Sequence, residues 1–201
     1  MITSICNVMK EGYDRGWITT RDGNCSLIRN DEARFYITPS AVRKNVLISE
    51  SILRIRVDPD YGLDLEDGMN PSGELEMHWL LHKDYRKTRC VLHLHPTYTV
   101  AAMHAGWSLP KLVEPFPELY RYTKVGPNVP NLPATSPELA TATYHSFAPN
   151  EQGLSVFDIV GQTNHGVTAI AATPWDAFEH IERLEHISQI VLASGISPVG
   201  E

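Results

Sequence analysis

Positive charge is scarce in this chain: 17 lysines and arginines stand against 24 acidic residues, a formal net charge of −7. That balance gives no broad field to attract nucleic acid or an anionic membrane surface, so an anionic substrate would need a local positive site. Long apolar runs are absent too, and none approaches the roughly 20 residues that a membrane-spanning helix requires. The opening stretch, Met1 to Lys10, lacks a basic segment leading into a long apolar one, which makes cytoplasmic residence the expectation. Cysteine is sparse. Cys6, Cys25 and Cys90 form an odd, widely spaced set with no CxxC, against a disulfide framework or a thiolate zinc knuckle and in favour of a reducing compartment. Internal repeats and low-complexity tracts are also missing. What is there is an ordinary globular composition, 42% hydrophobic and 20% charged over 201 residues, read as one domain spanning 1–201.

Ile5, Val8, Met9 and Tyr13 fall at helical spacing and end at Gly16, which predicts a first helix over residues 3–16. Asp22-Gly23-Asn24 is a turn signal. Residues 25–28 and 34–38 read as a hairpin across a turn at Asn30-Asp31, broken by Thr38-Pro39-Ser40. Residues 52–57 alternate as a strand, 58–62 read as a turn, and the polar stretch 63–71 as a loop leading to a helix over 74–83 that Ser72 would cap. A strand over 90–95 and a short helix over 98–105 follow. Residues 107–137 are rich in proline and show no periodicity, so they are expected to form a long functional connection without structure of their own. A helix over 137–147 and strands over 156–160 and 167–171 come next. The clearest element is the last, with Thr173 as N-cap, Pro174 at the first helical position and Gly195 beyond the end.

The chemistry gathers on a few residues. In His93-Leu94-His95 two imidazoles two apart on a strand project to one face and can converge on one ion, and Pro96 stops the strand behind them. His165, in the turn Asn164-His165-Gly166, would make a third ligand and leave the open side of a catalytic rather than a structural metal site. Glu74, behind Ser72-Gly73 at a helix start, reads either as a favourable first-turn acid or as a carboxylate in reach of the metal that serves as a base. Ser72 and the Gly73 amide could then take a phosphate beside it. His78 and His82 have an i, i+4 spacing that can bind zinc but no third ligand. They are assigned no chemistry, nor are His104, His145, His180 and His186.

Taken in order, Gly23-Asn24-Cys-Ser, Thr38-Pro-Ser40, Pro71-Ser-Gly-Glu74, His93-Leu-His95-Pro-Thr, Asn164-His165-Gly166 and the Asp176-Ala-Phe helix with Glu182 and Glu185 resemble the class II aldolase and adducin family. Within it the likeness is to aldolases acting on L-rhamnulose 1-phosphate and L-fuculose 1-phosphate. The resemblance implies a three-layer α/β/α fold around a mostly antiparallel sheet, and a homotetramer with sites at subunit contacts. It implies that His93, His95 and His165 hold Zn2+, or another divalent ion such as Mn2+, and that Glu74 is the catalytic carboxylate. Gly23, Asn24, Ser40, Ser72 and Gly73 would surround the phosphate of a sugar-phosphate substrate, with no nucleic-acid or membrane partner. The implied reaction is reversible retro-aldol cleavage of a ketose 1-phosphate to dihydroxyacetone phosphate and an aldehyde, with zinc stabilising the enediolate. Glu118 is the candidate for the second acid or base, with Glu114, Tyr120 and Tyr122 as alternatives. On the same scaffold the other reactions are sugar-acid phosphate decarboxylation, pentulose-phosphate 4-epimerisation and thio-sugar phosphate dehydration. Epimerases usually carry aspartate in place of Glu74, and non-catalytic adducin-like modules lose the ligands. The chain departs from the family pattern at Ser40-Ala41, at Gly73 where a second hydroxyl is common, and in lacking a long tail after the last helix.

Overall fold

A computed structural model describes residues 1–29, 31–58, 60, 62–84 and 88–198. Asn30, Pro59 and Tyr61, which belong to two of the predicted turns, lie outside the described residues. The first helix, α1 (Ile2–Asp14), buries Ile5, Val8 and Met9 and ends as Gly16 takes a left-handed φ of 72°. That conformation favours a residue without Cβ. Eight strands follow in one sheet: β1 (Asn24–Arg29), β2 (Arg34–Ile37), β3 (Leu53–Asp58), β4 (Gly62–Asp64), β5 (Cys90–Leu94), β6 (Val125–Val129), β7 (Ile159–Gln162) and β8 (Gly166–Ala171). Their spatial order is β4-β3-β2-β1-β5-β8-β7-β6, antiparallel throughout except for the parallel pair β6–β7.

Helices cover both faces. Alternation along β5 sends Cys90, Leu92 and Leu94 into a large core with α1, α3 (Thr97–His104), α4 (Leu109–Val113) and α6 (Pro174–Ala193). Val91 points the other way, into a cluster with Met77 and Leu81 of α2 (Leu75–Asp84) and Ala140 of α5 (Pro137–Ser146). This is the expected α/β/α layering, and it fixes the site, because His93 shares the parity of Val91 and so faces α2. In the described residues no helix is long and apolar enough to cross a membrane.

The proline-rich stretch departs from expectation. Rather than lacking structure, it holds α4, a 3-10 turn (Leu119–Arg121) and β6. Strand β6 lies at the sheet edge, where Pro127 can be tolerated because an edge strand needs only half its hydrogen bonds. Strand β4 was expected to be turn and loop; it is a short edge strand pairing with β3, closed by an Arg56–Asp64 ion pair at 2.7 Å. The strand predicted over 156–160 starts later, at Ile159, leaving Val156 42% exposed.

Candidate metal centre and substrate cleft

Strand β5 presents His93, wholly buried, and the chain immediately beyond it presents His95, whose amide donates to Trp17 O at 3.1 Å. Antiparallel pairing sets His93 opposite Thr168 and Leu94 opposite Val167 on β8. The three-residue turn 163–165 between β7 and β8 therefore carries His165 to the same spot. Asn164 adopts φ 60°, its Oδ1 bonded to His104 Nδ1 at 2.9 Å, and the backbone at Gly166 passes close behind the imidazoles. The three rings lie 4.8 to 5.0 Å apart between centroids. One nitrogen from each falls within 4.8 Å of the others, and His93 Nε2 and His95 Nε2 are 2.8 Å apart.

Burial depresses the basicity of two of these rings, pushing His93 well below the ordinary histidine value and His95 down to about 4. Both are thus neutral near pH 7, the form that binds metal. His93 Nδ1 lies 3.3 Å from Thr168 Oγ1, a partner that would leave Nε2 for an ion. Glu74, 6% exposed, places Oε2 3.5 Å from His93 Nε2 and Oε1 3.8 Å from His165 Nε2. Asn24 Nδ2 donates to Oε2 at 2.8 Å, whereas Oε1 and His165 Nδ1 are buried without a hydrogen-bond partner among the described residues. Burial pushes the Glu74 carboxyl up, opposed by the Asn24 hydrogen bond and by His165. Three imidazoles in one pocket, with a carboxylate oxygen left free beside them, fit a divalent ion with an open side.

A cleft of about 230 Å³ opens over this cluster and gathers Gly23, Asn24, Ser40, Ser72 and Gly73 along its wall. Two loops are zipped together to make that wall: Ser72 N donates to Thr38 O at 3.2 Å, Ser40 N to Asn70 O at 2.9 Å, and Pro39 bridges Pro71. Ser72 Oγ accepts from Glu74 N at 3.3 Å just ahead of α2, which starts at Leu75. Gly23 has φ 69° and its Cβ would strike Ile18 at 2.8 Å; a Cβ on Gly73 would strike Thr135 at 2.9 Å.

Among the lining residues that escaped sequence reasoning are Arg21, Lys44 and Thr135. Lys44 is 2% exposed and donates from Nζ to Pro39 O at 3.1 Å and Val42 O at 3.3 Å, and desolvation lowers its pKa. The excess of acid over base in the whole chain hid these cations; Arg21, beside the Asp22-Gly23-Asn24 turn, was the readable one. Glu118 is not brought to the cleft. It sits exposed before the 3-10 turn, 3.4 Å from Arg121 Nη1, and Glu114, Tyr120 and Tyr122 are exposed as well and do not line it. A larger recess, about 590 Å³ between Arg15, Trp17, Tyr98 and Glu185, lies apart from the histidine cluster.

Residues 3–192 match the family described as Class II Aldolase and Adducin N-terminal domain. The chain is 26% identical over 174 residues to a 5-deoxy-D-ribulose 1-phosphate aldolase of Bacillus thuringiensis serovar kurstaki, covering 84% of this chain and 73% of that one. It is 28% identical over 189 residues to a 3-oxo-tetronate 4-phosphate decarboxylase of Haemophilus influenzae, covering 89% and 80%. In fold it is similar to a sugar-phosphate aldolase from Thermotoga maritima, with a TM-score of 0.80 at 21% identity over 99% of this chain and 97% of the other.

Proposed function

The chain belongs to the class II aldolase and adducin family, and on that footing we propose that it is a metal-dependent lyase cleaving a ketose 1-phosphate to dihydroxyacetone phosphate and an aldehyde. The observation that carries this reading is the Glu74 carboxylate, 3.5 and 3.8 Å from two nitrogens of the three-histidine cluster, on the floor of a cleft edged by Arg21 and Lys44. His93, His95 and His165 would hold the ion, Zn2+ in our reading with Mn2+ as the alternative. Once bound, such an ion would supply Lewis acidity toward the substrate carbonyl and toward the charge left when the carbon–carbon bond opens.

The remaining steps fall to side chains. Ser40, Ser72 and Asn24, the Gly23 and Gly73 amides and the two cations bind the phosphate and so orient the carbonyl over the histidines. A second group removes the proton from the hydroxyl next to the breaking bond, the bonding electrons move to the carbonyl oxygen, and Glu74 delivers a proton to the carbon left behind. Burial, which raises the Glu74 carboxyl, suits a group that carries a proton for half of each cycle. Glu118 is our candidate for the second group, supplied by a neighbouring copy in a cytoplasmic homotetramer of one-domain chains with sites at subunit contacts.

Decarboxylation of a sugar-acid phosphate is the second reading, favoured by the 28% identity to the oxo-tetronate phosphate enzyme. The deciding experiment incubates metal-loaded protein with ketose 1-phosphates and sugar-acid phosphates and measures aldehyde and carbon dioxide separately. Aldehyde supports the lyase reading, carbon dioxide moves the assignment to decarboxylase, and purified protein without stoichiometric divalent metal overturns both. Glu74→Gln is expected to keep its metal and to slow deuterium exchange into dihydroxyacetone phosphate by about 100-fold or more, the usual scale of a lost acid–base group. Unchanged exchange would remove Glu74 from the mechanism.

A further inference from the structure

Behind the metal centre five polar side chains are buried in one line, an expensive arrangement unless every member is paired. Two belong to β1: Asn24 and Ser26, two apart, project to the α2 face of the sheet. Three belong to α2 and the residue before it: Glu74, His78 and His82 recur every four residues and form one stripe. Asn24 Nδ2 donates to Glu74 Oε2 at 2.8 Å, and Asn24 Oδ1 pairs with His78 Nε2. His78 Nδ1 is 2.6 Å from Ser26 Oγ, which is 2.8 Å from His82 Nε2. His78 and Ser26 are wholly buried.

The protons in this line are determined by counting donors. An ionised Glu74 only accepts, so the Asn24 amide turns its NH2 to the carboxylate and its oxygen to His78. Burial holds both histidines neutral, their pKa values pushed down to about 3, so each carries one N–H. The proton on His78 must sit on Nε2, facing the Asn24 oxygen, which leaves Nδ1 bare to accept the Ser26 hydroxyl. Ser26 Oγ in turn accepts from His82 Nε2–H.

We propose that His78, Ser26 and His82 are positioning residues whose fixed sequence of donors locks the Asn24 amide with its NH2 on Glu74, and so holds that carboxylate on the metal side of the cleft. Without the His78 N–H the Asn24 oxygen loses its donor, and the carboxylate alone is left to hold the amide in place. The functional half of this inference rests on Glu74 being the working carboxylate; the hydrogen-bond order does not.

Two measurements test it. In metal-loaded protein selectively labelled with 15N-histidine, long-range 1H–15N spectra should show His78 and His82 as neutral Nε2–H tautomers from pH 5.5 to 8. An Nδ1–H tautomer or an imidazolium at either position overturns the chain. His78→Leu should lower the maximal rate of deuterium exchange into dihydroxyacetone phosphate by about tenfold or more. Bound metal should stay within about twofold, since none of the three ligands changes. His78→Gln, whose amide can place an N–H near the lost Nε2, should recover most of the rate. Equal losses in the Leu and Gln variants, or a loss that follows bound metal, would mean packing alone and overturn the positioning role. If the tautomers are as stated but Glu74→Gln exchanges normally, the reading of Glu74 has failed while the chain stands.

Discussion

Gly166 sits where the candidate metal centre leaves no room for a side chain. A Cβ there would lie 2.5 Å from Leu94 O, 2.7 Å from His95 Cδ2 and 2.9 Å from His93 Cε1, and the first of these is backbone that cannot swing aside. Gly166→Ala should therefore displace two ligands at once, weaken metal binding by about tenfold or more and cost about 1–3 kcal/mol of stability, as overpacking does. Gly195→Ala is the matched control: φ is 73° but nothing among the described residues lies within 4 Å, so only backbone strain of about 1 kcal/mol is expected, with metal binding intact. Competition with a colorimetric chelator and denaturant melts of the two variants separate the effects. The Gly166 reading was half legible in the sequence. A glycine after Asn164-His165 announces a tight turn, but the crowding by β5 appears only once β5 and β8 are paired. Lys44 was not legible at all, since its place in the cleft depends on loop 38–40 folding against 70–72.

At the scale of elements, α2 carries a liability that its sequence shows only as an i, i+4 histidine pair. His78 and His82 titrate at about 3 in the fold against an ordinary 6.5. Between those values the unfolded chain takes up two protons that the folded chain does not, so stability falls as pH falls below 6.5 and is unaffected by these groups above it. At pH 5 the loss is about 2 kcal/mol for each histidine. His82→Gln, which retains a donor for Ser26 Oγ without titrating, should recover about 2 kcal/mol of the drop in unfolding free energy between pH 7.5 and 5, measured by urea titration at both. An unchanged drop would mean that His82 charges freely in the fold. Legibility followed locality. Helix α6 was readable from end to end because its cap, proline and apolar stripe are all local signals. The parity of His93 and His95 was readable because strand alternation is local too. Strand β6 was not, because a short, proline-containing edge strand owes its existence to parallel pairing with β7, some thirty residues along the chain, and the start of β7 shifted for the same tertiary reason.

Over the whole molecule, a net charge of −7 repels the phosphorylated substrate that the cleft is proposed to bind, and Arg21 and Lys44 supply the local exception. Lys44→Gln, which keeps a donor and removes the charge, should raise the half-saturating concentration of dihydroxyacetone phosphate in the deuterium-exchange assay by about tenfold, the scale of one charge-assisted hydrogen bond, with metal retained. The cleft is also incomplete for the proposed cleavage. Asn24, Glu74 and the three histidines converge within one chain, but Glu118 stands on an exposed turn and does not line the site. If a neighbouring copy supplies it, no chain needs both glutamates for its own site. Glu74→Gln and Glu118→Gln proteins, each nearly inactive alone in aldehyde release, should then regain activity when mixed under conditions of subunit exchange. Random reassortment pairs an intact Glu74 with an intact neighbouring Glu118 in about a quarter of the sites, which sets the recovery expected relative to the unmodified protein. No recovery in an assembly shown by light scattering to have exchanged would place both groups in one chain. Full activity of Glu118→Gln alone would pass its role to Tyr120 or Tyr122, which lie on the same exposed turn and can be put through the same mixing assay.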